Sequence, residues 1–152
     1  MAGFRHELSS GNWIELRPIQ TLKQRDKDVY DGAIKLYVDF DDEGKPDMSR
    51  MPLSMSIQKV RRNALFARLV VAWSFTADDD ITPLPVPRWI SDDAGVENED
   101  SIGDLPIDDG DEIWELMAPY ITKCDRKPDP KGTTTDGSNG TSKAKAGASR
   151  RA

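Results

Sequence analysis

Polar and apolar positions alternate early in the chain and then change period. Ile14 and Leu16 interleave with Glu15 and Arg17, the two-residue period of a strand with one buried face. Upstream, Phe4-Arg5-His6-Glu7-Leu8 runs into Ser9-Ser10-Gly11-Asn12, and Gly and Asn tolerate the positive φ of a tight hairpin turn. The pattern predicts two short antiparallel strands, with Pro18 ending the second because it lacks a ladder donor.

From 21 to 40 the period lengthens. Leu22, Val29, Ala33, Leu36 and Phe40 line one face of a helix, while Lys23, Lys27, Asp31 and Lys35 fall elsewhere, which predicts one amphipathic helix closed by the turn formers 41 to 47. A second helix is expected from 52, where Pro suits a first turn, to 75. Its stripe is Leu53, Ile57, Val60, Ala64, Ala67 and Val71, and Phe66, Leu69 and Trp73 add a second apolar face. The end of this helix therefore reads as apolar nearly all round and central. The apolar block 65 to 75 contains Arg68 and is shorter than the roughly 20 residues a bilayer span needs. Something in this chain or a partner has to cover it.

Residues 76 to 107 are the least regular. Pro83-Leu84-Pro85-Val86-Pro87 favours an extended, polyproline-like path, and Trp89-Ile90 is placed to dock back on the core. Ten carboxylates and no Lys or Arg lie between 92 and 112, which reads as an acidic loop. Asp109 with Glu112 has the spacing of an N-cap and its third helical residue, opening a short helix through Ile113, Leu116, Met117 and Tyr120 that Pro119 kinks or stops. Beyond 125 the chain is polar, with no apolar period. The expected fold is α+β and mostly helical: an N-terminal β-hairpin, about three helices and a disordered C-terminal tail. A single domain over 1 to 125 and a tail over 126 to 152 follow, since the tail cannot bury enough surface to offset its ordering entropy.

Charge narrows the partners. The formal net charge is −6, yet residues 131 to 152 carry five basic side chains and one Asp, so the tail is +4 and the body −10. Such a body repels phosphate backbones, and nucleic acid is not an expected partner. Cys124 is the only cysteine, so no intramolecular disulfide forms. No export leader opens the sequence and no stretch suits a membrane, so an intracellular, soluble protein is expected.

Candidate chemistry is sparse. Asp39-x-Asp41-x-Glu43-Gly44 resembles the front of a calcium loop, but Arg50 stands where a bidentate Glu is required and Pro46 where an apolar pairing residue belongs, which favours a solvated turn. The acids from 92 to 112 contain carboxylate pairs, but general acid/base work needs them in a dry cleft, and a solubilising face is the better reading. His6 is the only histidine, so no histidine pair can hold a metal within one chain, and a Cys124–His6 nucleophile has no sequence support. With no phosphate-binding glycine loop or nucleophile elbow, neither enzyme activity nor a cofactor is expected. Trp13, Trp73, Trp89 and Trp114 fall one in each segment, as a shared core would place them; Trp89, after the prolines, suits an exposed anchor equally well.

These pieces together carry a resemblance. Leu8-x-x-Gly11-x-Trp13-Ile14-Glu15-Leu16-Arg17, then Ala72-Trp73-Ser74-Phe75, the Pro-Leu-Pro-Val-Pro at 83 to 87, Asp104-Leu105-Pro106 and Ile113-x-x-Leu116-x-x-Pro119 are similar to small proteins of tailed actinobacterial phages. The group is the tail assembly chaperones of long-tailed, siphovirus-type phages. The likeness covers about 4 to 125; its motifs are short and none is catalytic. The acidic stretch at 91 to 112 is longer than the family pattern.

The resemblance implies a non-enzymatic protein that binds the hydrophobic tape measure protein and keeps it soluble and extended while tail tube subunits assemble. It also implies action in the cytoplasm of the infected host, departure before the virion matures and, in many members, a longer frameshifted form. The tail tube protein is a second candidate partner, and the number of copies in the working unit is open. Leu84, Val86 and Trp89, on a stiffened extended segment, are the candidate client-binding residues. A head-to-tail connector or tail-completion protein fits the same features. The acidic body alone would also suit a DNA mimic that blocks a host protein.

Overall fold

The computed structural model describes residues 3–52 and 55–126. Leu53 of the expected second stripe and the expected disordered tail beyond 126 lie outside the described residues. The fold is α+β, with four α-helices and three small antiparallel sheets among the described residues.

The hairpin forms as its pattern predicts. Strands β1 (Phe4–Glu7) and β2 (Trp13–Leu16) pair antiparallel, and Gly11 takes the positive φ of +95° that the turn requires. Ile14 and Leu16 are fully buried on one face, while Trp13 and Glu15 face the other way.

The single helix expected from 21 to 40 is divided. A 3-10 turn at Ile19–Thr21 precedes helix α1 (Gln24–Gly32), a second 3-10 turn follows at Ala33–Leu36, and the chain extends as strand β3 (Asp39–Phe40). Gly32 is a weak helix former, and Val38 and Phe40 favour extended backbone. The stripe is only partly core: Val29 and Ala33 are buried, whereas Phe40 is half exposed. Strand β4 (Pro46–Asp47) returns against β3 through a turn in which the Asp41 carboxylate accepts from the Glu43 and Lys45 amides at 2.9 and 2.8 Å. The calcium-loop segment is thus a hairpin turn. Arg50, at the missing ligand position, pairs instead with Asp39 at 3.1 Å.

The second helix also ends earlier than its pattern suggests. Helix α2 (Ile57–Leu69) starts at Ser56, whose hydroxyl caps the Lys59 amide, and the chain then becomes strand β5 (Val70–Trp73). β5 pairs with β2, Ile14 facing Trp73 and Leu16 facing Val70, so the sheet order is β1-β2-β5. The apolar block looked apolar all round because a helical stripe and a strand alternation are joined end to end. β-branched Val70 and Val71, with Trp73, pack better on a pleated surface, and β2 offers an unpaired edge to receive them.

The stretch expected to be irregular holds more structure. Strands β6 (Arg88–Ser91) and β7 (Gly95–Glu97) form a hairpin turned at Gly95, where φ is +72°, and a short helix α3 (Asp100–Gly103) follows. The last helix, α4 (Ile107–Asp125), is 19 residues long, with Pro106 at its N-cap position rather than Asp109. Pro119 lies inside it without ending it. Its missing N–H lies on an exposed stretch where water can serve the freed carbonyl. No described helix is long and apolar enough to cross a membrane.

α4 covers the apolar block. Ile113, Met117 and Tyr120 join Ile14, Leu16, Leu65, Phe66, Leu69 and Trp73 in the principal core, and Val29, Ala33, Val60 and Ala64 form a second cluster between α1 and α2. Since α4 closes this core by Asp125 and the Cys124 carbonyl accepts from Lys27 at 2.6 Å, the body should be complete at 126. Truncation after Arg126 is expected to leave the thermal midpoint within a few degrees of the parent; loss of cooperative melting would make the tail part of the fold.

Candidate functional site

The structure separates the three residues singled out from sequence. Leu84 is in the core: it is 7% exposed, its amide donates to Phe75 O at 3.0 Å, and its carbonyl accepts from Trp73 Nε1 at 2.7 Å. The Pro-Leu-Pro-Val-Pro path is therefore part of what covers the apolar block, and Leu84 has almost no surface left for a client. Val86 is half-buried against the same core, and Trp89 is half-buried against the second cluster. The tryptophans likewise do not share one core. Trp73 and Trp114 both pack on Phe66, with centroids 6.2 and 5.3 Å away, whereas Trp13 lies on the outer face of the sheet under Arg5, 3.8 Å from its ring.

An open groove lies elsewhere, between the start of α2, α3 and the first turns of α4. It encloses about 830 Å³, and Met55, Ile102, Leu105, Ile107 and Trp114 supply its apolar lining. Ile107 is 82% exposed at its rim, although it opens a helix whose next inward residues are core. Arg62 forms one side: its guanidinium lies 3.7 Å from the Trp114 ring centroid and donates to Asn63 Oδ1 at 3.3 and 3.2 Å. Burial lowers the Arg62 pKa from the ordinary arginine value, but a guanidinium of this kind stays charged at neutral pH. The lining also holds Glu99, Asp100, Asp104 and Asp111, from α3 and the first turns of α4 and the residues beside them. Tyr37 donates to Glu99 Oε1 at 3.1 Å, and burial together with the Glu99 charge pushes the phenol up to about 12. The groove thus combines an apolar lining with cations from α2 and carboxylates from around α3 and the start of α4.

The groove is not legible in the sequence pattern, where the acids from 92 to 112 read as a solubilising face. A signal was present: Leu105-Pro106-Ile107 is an apolar interruption in the acidic run.

Two polar clusters hold the surrounding elements in place. Asp26, 1% exposed, receives Arg17 at 3.1 and 2.9 Å, Arg68 at 2.6 Å and the Lys23 amide at 2.8 Å, which joins the end of β2 to the start of α1 and the end of α2. Asp109, 2% exposed in the first turn of α4, accepts from Ser10 and Asn12. Glu112 accepts from the Ser9 amide and hydroxyl, at 3.1 and 3.0 Å. The hairpin turn read from Gly and Asn alone is therefore also a clip on α4, and it sets the helix end that forms one wall of the groove.

The remaining reactive groups do not converge. His6 lines a shallow groove beside Glu112 and Glu115, while Cys124 lies in a separate cleft beside Lys27 and Lys123, about two turns further along α4. Burial raises the Cys124 thiol pKa, which disfavours the thiolate a nucleophile needs. Among the described residues no group of three or more His, Cys, Asp or Glu side chains is arranged to hold a metal ion. No protein-family model, curated protein or solved structure matches the chain.

Proposed function

We propose that this protein is a non-enzymatic tail assembly chaperone. It holds apolar helical segments of a tape measure protein and keeps them soluble in the host cytoplasm until tail tube subunits enclose them. The observation that carries the reading is the groove itself: Ile107 is exposed and Trp114, Met55 and Leu105 are only half-buried, among lining charges of both signs. An amphipathic helix laid in such a groove places apolar anchors one turn apart on the lining and finds charge partners of both signs. The net charge of −6 then keeps the complex dispersed. The proposed surface differs from the segment 83 to 90, because Leu84 is already committed to the core.

Co-expression with the tape measure protein tests the reading. The client should be largely insoluble alone and largely soluble with the full chain. Ile107→Asp should return it to the pellet while leaving the chaperone folded, because Ile107 is 82% exposed and an acid suits the first turn of a helix. A client that stays insoluble with the parent chain rules the chaperone out. Peptides of this protein in purified virions would point to a connector instead. If Ile107→Asp solubilises as well as the parent, the function stands and the groove is not its site.

A further inference from the structure

Strand β1 is the edge of its sheet, and its outward groups form a self-complementary pattern. The Leu8 amide donates to Asn12 O at 2.8 Å, while the Ser74 amide donates to Trp13 O on the far side of β2. In an antiparallel ladder this phase turns the backbone groups of Phe4 and His6 toward Leu16 and Ile14. It leaves the N–H and C=O of Arg5 and Glu7 facing outward, with no strand beside them among the described residues.

An edge of this kind invites a second strand unless its charges forbid one. Two copies of β1 meeting antiparallel through these groups have three registers. Arg5 opposite Arg5 and Glu7 opposite Glu7 place like charges face to face. The third sets Arg5 opposite Glu7 twice, forms four backbone hydrogen bonds and puts the two His6 residues across a twofold axis.

The side chains of this third register also find room. Phe4 is on the same face as buried Leu16, yet it is 59% exposed. In the paired sheet each Phe4 falls opposite Leu8 of the second copy. There an open groove of about 450 Å³ runs between β1 and α4, lined by Leu8 and Leu116 and bordered by Glu112 and Glu115.

We infer that the protein forms a symmetric dimer through β1, joining two three-stranded sheets into one of six strands, with Phe4 of each copy seated in the groove beside Leu8 and Leu116 of the other. The occupant of both the edge and the groove is a second copy of this chain. The dimer is independent of the client reading, since the α2–α3–α4 groove uses neither Phe4, Arg5 nor Glu7.

Sedimentation equilibrium of the full chain should show a monomer–dimer equilibrium. Glu7→Arg sets two arginines opposite one another and Arg5→Glu sets two glutamates; each should weaken the dimer at least about ten-fold. Glu7 is exposed and faces Trp13 within its own hairpin, so Glu7→Arg should keep the parent thermal midpoint at protein concentrations low enough for both to be monomeric. An equimolar mixture of the two variants should recover a heterodimer, because opposite charges again face each other. His6→Cys should be cross-linked across the axis by oxidised glutathione, each new disulfide giving two electrons and two protons to the oxidant. The reaction should run much faster than for Phe40→Cys, an exposed site on another sheet. A chain that stays monomeric at all concentrations overturns the inference. So does a dimer indifferent to both charge reversals, or a His6→Cys variant that links no faster than the control.

Discussion

Trp73→Ala should lower the stability of the protein by roughly 3 to 5 kcal/mol, the range for removing a large aromatic from a packed core. Trp73 is 8% exposed, stands edge-on to Phe75 with centroids 5.3 Å apart, and packs on Phe66. Its indole N–H also holds the Leu84 carbonyl at 2.7 Å. The substitution leaves a cavity where β5, α2 and the proline segment meet, and strands a buried acceptor. Trp73→Phe keeps most of the volume and loses the hydrogen bond, so its cost should be far smaller, about 1 to 3 kcal/mol. Urea unfolding of the three proteins measures both. Equal stability of Trp73→Ala and the parent would show that the ring is not a core element.

Asp26→Asn should cost about 3 kcal/mol, because it leaves two largely buried guanidiniums with no carboxylate between them. Arg17 and Arg68 keep only 14% and 21% of their side-chain surface, against 1% for Asp26. The pH dependence follows from the same contacts. Burial by itself would raise the Asp26 pKa, but the hydrogen bonds from Arg17, Arg68 and the Lys23 amide outweigh it and hold the group at about 2, below its ordinary 3.8. A carboxylate depressed on folding stabilises the native state wherever it is ionised. That contribution, about 2 kcal/mol, is complete above roughly pH 5 and is lost as the pH falls through 4 toward 2. Thermal midpoints recorded between pH 6 and 2 should therefore drop less steeply for Asp26→Asn than for the parent. Parallel curves would assign the acid lability to other carboxylates.

Local pattern was enough wherever one periodicity governed one element. The alternation of Ile14 and Leu16 and the Gly11 turn define the hairpin, and Ile113, Met117 and Tyr120 lie on the buried face of the last helix. Two clues were also legible for the groove, the apolar break at 105 to 107 and the acidic excess around it, but only as an exposed loop. Pattern failed where the chain changes period without a break. Val70 continues the helical stripe of α2 and also begins the strand alternation of β5, and only the free edge of β2 decides between them.

Tertiary contact decided the rest for the same reason. Leu84 and Ile107 are both isolated apolar residues beside a proline, yet one is 7% exposed and the other 82%. Leu84 is buried because its backbone is bound to Phe75 and Trp73, partners 9 and 11 residues away, and Ile107 is open because α4 is clipped through Asp109 to a turn 97 to 99 residues earlier. Sequence determines the charge, the N-terminal hairpin and the buried stripe of the last helix, since these rest on neighbours along the chain. Which anchors face water is determined by the sheet order and the clip on α4, because burial depends on contacts that only folding brings together.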